Sequence, residues 1–312
     1  MVDFSIFGDY QNPVEFNFST AEGFSSQLRW TSQRINIFYA RTPRVESIAA
    51  REFRGFFATV FAQNMQVCSA DAEALSEALT AAADIVDYLT EQARLENERR
   101  QKVRDFAAQH DDFSDHVRDF FTGVDVPPNL TPAEPPPPQL LRLPLTRQRQ
   151  QDRSIRGSSG GISAADPKDL ISAAQVLGEA AAQVPSGSVL AGWFDDFTSQ
   201  CKYGTVEVGD LFVQLDRWRG LNDGDVEWLH AVAKAFQAAG SGVITLPNSA
   251  LRAALRAAGT PLWRTDLDIT SPGLSGIDPR TGYLEDPINS ATGNFIAVSY
   301  THLRAHETEA DL

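Results

Sequence analysis

The sequence predicts a mainly α protein: a long, coiled-coil-like helical hairpin, a proline-rich linker, a small all-α domain, and then the opening of a β-rich region. Three observations carry that prediction. From Phe57 to Ala93 apolar residues recur by threes and fours, the spacing that keeps one helical seam against a partner. Between Val124 and Asp166 lie eight of the 17 prolines. Beyond them, short amphipathic patterns follow one another and hold four of the five tryptophans. With 312 residues, 42% of them hydrophobic, the chain has room for about two cores. The expected units are 1–123, 124–166, 167–270, 271–297 and 298–312.

In the first unit, Ser19 followed by Glu22 has the capping-box arrangement, in which each side chain accepts an orphan amide. Phe24, Leu28, Ile35 and Phe38 then keep helical spacing. Pro43 is expected to kink or end this helix, since it lacks an amide and crowds the preceding turn. The second helix, from Phe56 to Ala108, spans about 80 Å at 1.5 Å per residue. So long an amphipathic helix needs a partner, either the stretch Thr20–Ala50 folded back on it or a second copy in a homodimer. Its end, "RLENERRQKVRDF", is charged on most faces, as in a helix emerging into water.

The linker combines Pro135–Pro138 with Arg142, Arg147, Arg149, Arg153 and Arg156 and few apolar residues, a composition expected to stay extended. The second block starts at Asp166-Pro167, an N-cap followed by proline at the first helical position. Apolar faces follow at Leu170–Ala181, Val189–Phe197, Leu211–Trp218 and Val226–Phe236, the last stopped by Gly240. A fifth, around Leu251 and Leu255, lies between Asn248 and Gly259.

Charge and motifs exclude several functions. A formal net charge of −14 opposes general binding to nucleic acid and to anionic membranes. The first twenty residues carry Asp3, Asp9 and Glu15 and no basic residue, unlike a conventional signal peptide, and no apolar run is long enough to span a membrane. Two cysteines are too few for a disulfide framework; a Cys68–Cys201 bond is one option, and the favoured reading is two buried apolar residues in separate cores. Asp195 and Asp196 are adjacent on a helix and cannot flank one glycosidic bond. "NDGDVE" has its glycine misplaced for a calcium loop, so Asn222 or Asp223 reads as an N-cap. His110, His116 and His230 are scattered, and there is no nucleophile elbow or phosphate loop. The expectation is a protein without catalytic residues, cofactor or metal.

Between the two long helices, Phe53, Gly55, Ala58 and Phe61 have an aromatic-x-Gly-x-x-Ala-x-x-Phe spacing. This block resembles the W-x-G family of small helical hairpins exported by type VII secretion, in the version fused to the front of large actinobacterial toxins. It departs from that family in two ways: Phe53 replaces Trp, and Tyr88 is followed four residues later by Gln92 rather than an acid. Further on, Asp286, Pro287, Asn289, Ala291, Thr292, Gly293, Asn294 and Phe295 agree with eight of ten positions of the sequence that opens the Rhs/YD-repeat region of polymorphic toxins. There, turn residues lead into an apolar strand. The resemblance implies a secreted or cell-surface delivery trunk. Its partners would be the type VII machinery or a small helical protein, with an immunity protein reserved for a toxin domain further along. The alternative is a cytoplasmic coiled-coil scaffold. Residues 298–312, with "VSYTHLRAHET", look like a translated sequencing adapter, so the pair His302 and His306 is not read as a zinc site.

Overall fold

The structure, a computed structural model, describes residues 7–110, 132, 135–141, 161–267, 288–289 and 294–295. Helix α1 (Phe18–Ala49) starts where the Asn17 side chain accepts the Thr20 amide at 3.2 Å. The expected capping box is therefore not used: Ser19 lies inside the helix, and Glu22 pairs with Arg94 on the neighbouring helix. Pro43 neither ends nor splits α1, which continues for six more residues. The reason is local. The carbonyl of Tyr39, which the missing Pro43 amide would have met, accepts the Thr42 hydroxyl at 2.8 Å instead.

The two-residue strand β1 (Arg54–Gly55) follows and leads directly into α2 (Phe56–His110). The helices form an antiparallel hairpin, fixed by Thr42–Ser69 at its closed end, Ser32–Ser76 in its middle and Arg29–Asp84 further on. The apolar seam of α2, including Leu75, Leu79, Ala82, Val86 and Leu89, is buried. The charged end of α2 does not emerge bare into water. Residues 7–14 run back along it as a strap, and three arginines read the strap's main chain. Arg99 donates to the Phe7 carbonyl, Arg100 to that of Asn12, and Arg104 to that of Tyr10. Glu96 is buried between Arg99 and Arg100, and Asp9 also pairs with Arg100; burial alone would raise the Glu96 pKa, but its bonds to the two arginines lower it. Phe7 closes the strap against Val103 and Phe106.

The linker contributes strands at its two described ends. In β2 (Gln139–Leu140), pairing is parallel with β4 (Val206–Glu207), and the next residue, Leu141, is buried. In β3 (Ile162–Ala165), pairing is antiparallel with both β1 and β5 (Ile244–Pro247), so the sheet order is β1-β3-β5. The remaining elements are α3 (Pro167–Ala181), α4 (Gly187–Gln200), α5 (Leu211–Ala239) and α6 (Asn248–Ala257). Asp166 caps α3, its carboxylate accepting the Lys168 amide at 2.9 Å with Pro167 at the first position.

Two apolar faces read from the sequence as separate helices, Leu211–Trp218 and Val226–Phe236, belong to the single helix α5. Asn222 and Asp223 do not cap a new one. Asn222 is fully buried, and its side-chain oxygen accepts the Cys68 thiol at 3.3 Å, while Asp225 pairs with Arg264. Short polar side chains that could have turned the backbone are engaged in tertiary bonds, and the helix runs through them.

The helical hairpin and the second block, read from sequence as units joined by a linker, share one continuous core. Phe38 meets Trp218 edge-on at 4.8 Å, and Phe24 meets Phe197 at 5.5 Å. Trp193 lies across Gly23, where a Cβ would come within 2.7 Å of the ring. Cys68 and Cys201 are buried and free within this same core. Since burial across the two halves holds them together, cutting the chain at a protease site engineered between Arg147 and Arg156 should leave two fragments that co-elute under native conditions. Separation into two folded pieces on size exclusion would show that the shared core is not stable.

Candidate functional site at the interhelical bend

The chain reverses at Phe53–Phe57, where the sequence motif lies. Gly55 has φ +90°, a conformation L side chains rarely adopt. A second constraint is steric. Gly55 pairs with Ser163 in the sheet, and a Cβ here would run into the Ile162 carbonyl and crowd Ser163. Glycine is thus required both by the turn and by the approach of β3. The buried hydroxyl of Ser163 accepts the Phe57 amide at 3.2 Å and donates to the Asn248 side chain at 2.8 Å. Ser163 therefore satisfies a first-turn amide of α2 from over a hundred residues away in sequence, in place of a local cap.

The motif's aromatic residues point inward. Phe53, Phe57 and Phe61 surround Trp228 of α5 at ring distances of 6.5, 6.1 and 6.1 Å, with Phe61 stacked at 23°. Ala58 is half-buried against the same core. The structure thus brings Phe53, Gly55, Ala58 and Phe61 together, but as the inner lining of a corner. Three members of that corner were not singled out from the sequence for it: Ser163, Trp228 and the Asn248 side chain. Serine in a linker and tryptophan on a helical face carry no spacing signal for a contact this distant.

Behind the bend, the segment after α6 is drawn into the groove between α2 and α5. Asn64 donates to the Leu262 carbonyl and accepts the Arg264 amide, at 3.3 and 3.0 Å. Asp71 accepts the Leu267 amide at 3.4 Å. Fully buried Arg264 bridges Asp225 and Asp71, the latter at 3.7 Å. Burial pushes the Asp225 carboxyl up to about 6, against the opposing pull of Arg264. Burial likewise pushes the neighbouring Cys68 thiol up to about 12, so it is no thiolate nucleophile at neutral pH.

Elsewhere, Asp195 and Asp196 are exposed on α4, and His230 is exposed on α5. Among the described residues no group of three or more His, Cys, Asp or Glu could hold a metal ion. No helix of the described residues is long and apolar enough to cross a membrane. Of the Rhs-like stretch, Ile288–Asn289 pairs antiparallel with Asn294–Phe295. Asp286, Pro287, Ala291, Thr292 and Gly293, like His302 and His306, lie outside the described residues. Compared with family models, with curated proteins and with solved structures, the chain matches none.

Two outcomes follow for this region. Gly55→Ala should destabilise the whole protein by at least about 2 kcal/mol in denaturant titrations, since positive φ and a backbone clash add. An unchanged midpoint would show that β3 does not press on the bend. For Asp225, the folded pKa exceeds the unfolded one, so its contribution to stability is present at low pH and lost as pH rises through about 6. The stability of the wild type relative to Asp225→Asn should therefore increase by about 1 kcal/mol between pH 7 and pH 5, at roughly 1.4 kcal/mol per pKa unit. A flat difference would contradict the buried-carboxylate assignment.

Proposed function

We propose that the chain is a non-catalytic delivery trunk on the amino-terminal side of a secreted, Rhs-type polymorphic toxin. The observation that carries this reading is the position of Phe53-x-Gly55-x-x-Ala58-x-x-Phe61: it lies at the reversal of a long antiparallel helical hairpin. The stretch from Asp286 to Phe295 supports it from the other end of the chain, by its resemblance to the opening of an Rhs region. In this reading the hairpin is presented to type VII machinery, and the second block joins it to the shell that follows. Toxin activity and the immunity partner belong to the downstream region. A cytoplasmic scaffold that dimerises through the seam of α2 is disfavoured, because α1 and α5 of the same chain pack on that seam.

Export provides the test. Residues 1–297 fused ahead of a reporter should carry it out of a type VII-competent actinobacterial cell. The reporter should stay inside an otherwise identical strain lacking the secretion ATPase. Equal release from both strains, or retention in both with the trunk folded, would remove this reading.

A further inference from the structure

Two exposed stripes run along α1 and α2 on surfaces turned away from the core. On α1, Trp30, Arg34, Ile37 and Arg41 recur at alternating spacings of four and three, so they form one line. Trp30 and Ile37 are each 41% exposed, and the Arg34 guanidinium lies 5.1 Å from the Trp30 ring centre. On α2, Tyr88, Glu91, Leu95 and Glu98 form a second line, with Tyr88 36% and Leu95 48% exposed. Single exposed apolar residues mean little. Here each helix offers two at heptad spacing, interleaved with charge of one sign: cationic on α1, anionic on α2.

These charges are not consumed within the chain. Among the described residues neither Arg34 nor Arg41 forms an ion pair, nor does Glu98. Glu91 meets only Arg94, one turn along its own helix, at 3.9 Å. The second block packs on the buried side of the hairpin, so it leaves both stripes open.

We propose that the two stripes are the halves of a self-complementary contact, through which α1 of one copy lies on α2 of a second copy. A two-fold axis perpendicular to the hairpin makes α1 parallel to the partner's α2 and repeats the contact twice. One offset along the helices then brings Trp30 onto the partner's Tyr88 and Ile37 onto the partner's Leu95. The same offset, to within one residue or about 1.5 Å, brings Arg34 to the partner's Glu91 and Arg41 to the partner's Glu98. A second copy is the occupant these features favour, because sign and apolar spacing match on two helices of one chain. Apolar pairs supply the attraction, and the flanking charges fix the register, as e and g residues do in a coiled coil. The contact is separate from the buried seam of α2 and does not depend on whether the chain is exported.

Sedimentation of the full chain at low salt, from about 1 to 100 μM, should show the mass rising to that of a dimer. The double reversal R34E/R41E should weaken association about tenfold or more, and E91R/E98R should do the same. Both reversals combined in one chain should restore it. Glu91 and Glu98 are exposed and Arg34 and Arg41 half-buried, so folding of each variant is checked by an unchanged melting curve. As an independent readout, Ile37→Cys with Leu95→Cys should give an intermolecular disulfide on mild oxidation, while Ile37→Cys with Ser26→Cys should not. A monomer throughout the range, association that ignores the reversals, or a combined variant that fails to recover would each overturn the proposal.

Discussion

The close approach of β3 to Gly55 is the constraint on which the rest of the arrangement depends. A two-residue strand at a helical corner has almost no stability alone, yet here it forms one edge of a three-stranded sheet whose other strands come from over a hundred residues later. That sheet sets where the second block sits on the hairpin. Once Ser163 is in register with Gly55, its hydroxyl reaches both the Phe57 amide and Asn248, the first residue of α6. One side chain thereby links the starts of two helices. The aromatic packing of Phe53, Phe57 and Phe61 on Trp228 lies directly behind it. Trp228 Nε1 meets no hydrogen-bond partner among the described residues, an omission costing about 1–3 kcal/mol that the ring contacts offset.

Polar groups do a second job in this fold by tying extended segments to long helices. At the far end of α2, three arginines and Asn97 grip the strap through its main chain, Asn97 accepting the Val14 amide at 2.8 Å. Near the bend, Asn64 and Asp71 do the same for the segment after α6. Main-chain recognition of this kind holds a peptide in place without demanding a particular side chain at each position. It explains how α2 can be so charged near its end and yet be covered. It also explains the buried charges: Arg264 is brought in with its segment and meets Asp225 and Asp71 where they already face the groove.

The helices were legible because their apolar spacing is a property of neighbouring residues. The extent of α2 and the capped start of α3 follow directly from such local signals. What the sequence concealed was every feature decided by a distant partner. Thr42 rescued the carbonyl that Pro43 orphaned, so the helix did not stop. Asn222 and Asp225 found partners on α2 and beyond α6, so α5 did not break. The strap and the strands of the linker carry no helical period: the strap is held by arginine side chains that read its backbone, and the linker strands by backbone pairing with distant strands. The merging of the two blocks into one core belongs to the same class. Helix α1 carries a second apolar face, with Phe24 and Phe38, that a hairpin alone would not use.

This bears on how the bend motif should be understood. Phe53 and Phe61 fill space around Trp228, Gly55 permits the turn and the pairing with β3, and Ala58 is half-buried against the core. Folding therefore accounts for each residue of the motif without invoking a receptor. The surface at this corner is made of other groups: Arg51 and Arg54 are exposed, and Ile162 is 63% exposed beside them on the sheet. Any partner of the folded corner meets this rim, where Arg51 pairs with Asp169 and Arg54 with Glu52 beside exposed Ile162, whereas a partner that reads Phe53 and Phe61 must first part the hairpin from α5. Since the two are joined by a continuous core rather than a hinge, the first route requires far less free energy. In this fold Phe53 and Phe61 pack inside the corner, and the surface over them is made of other side chains.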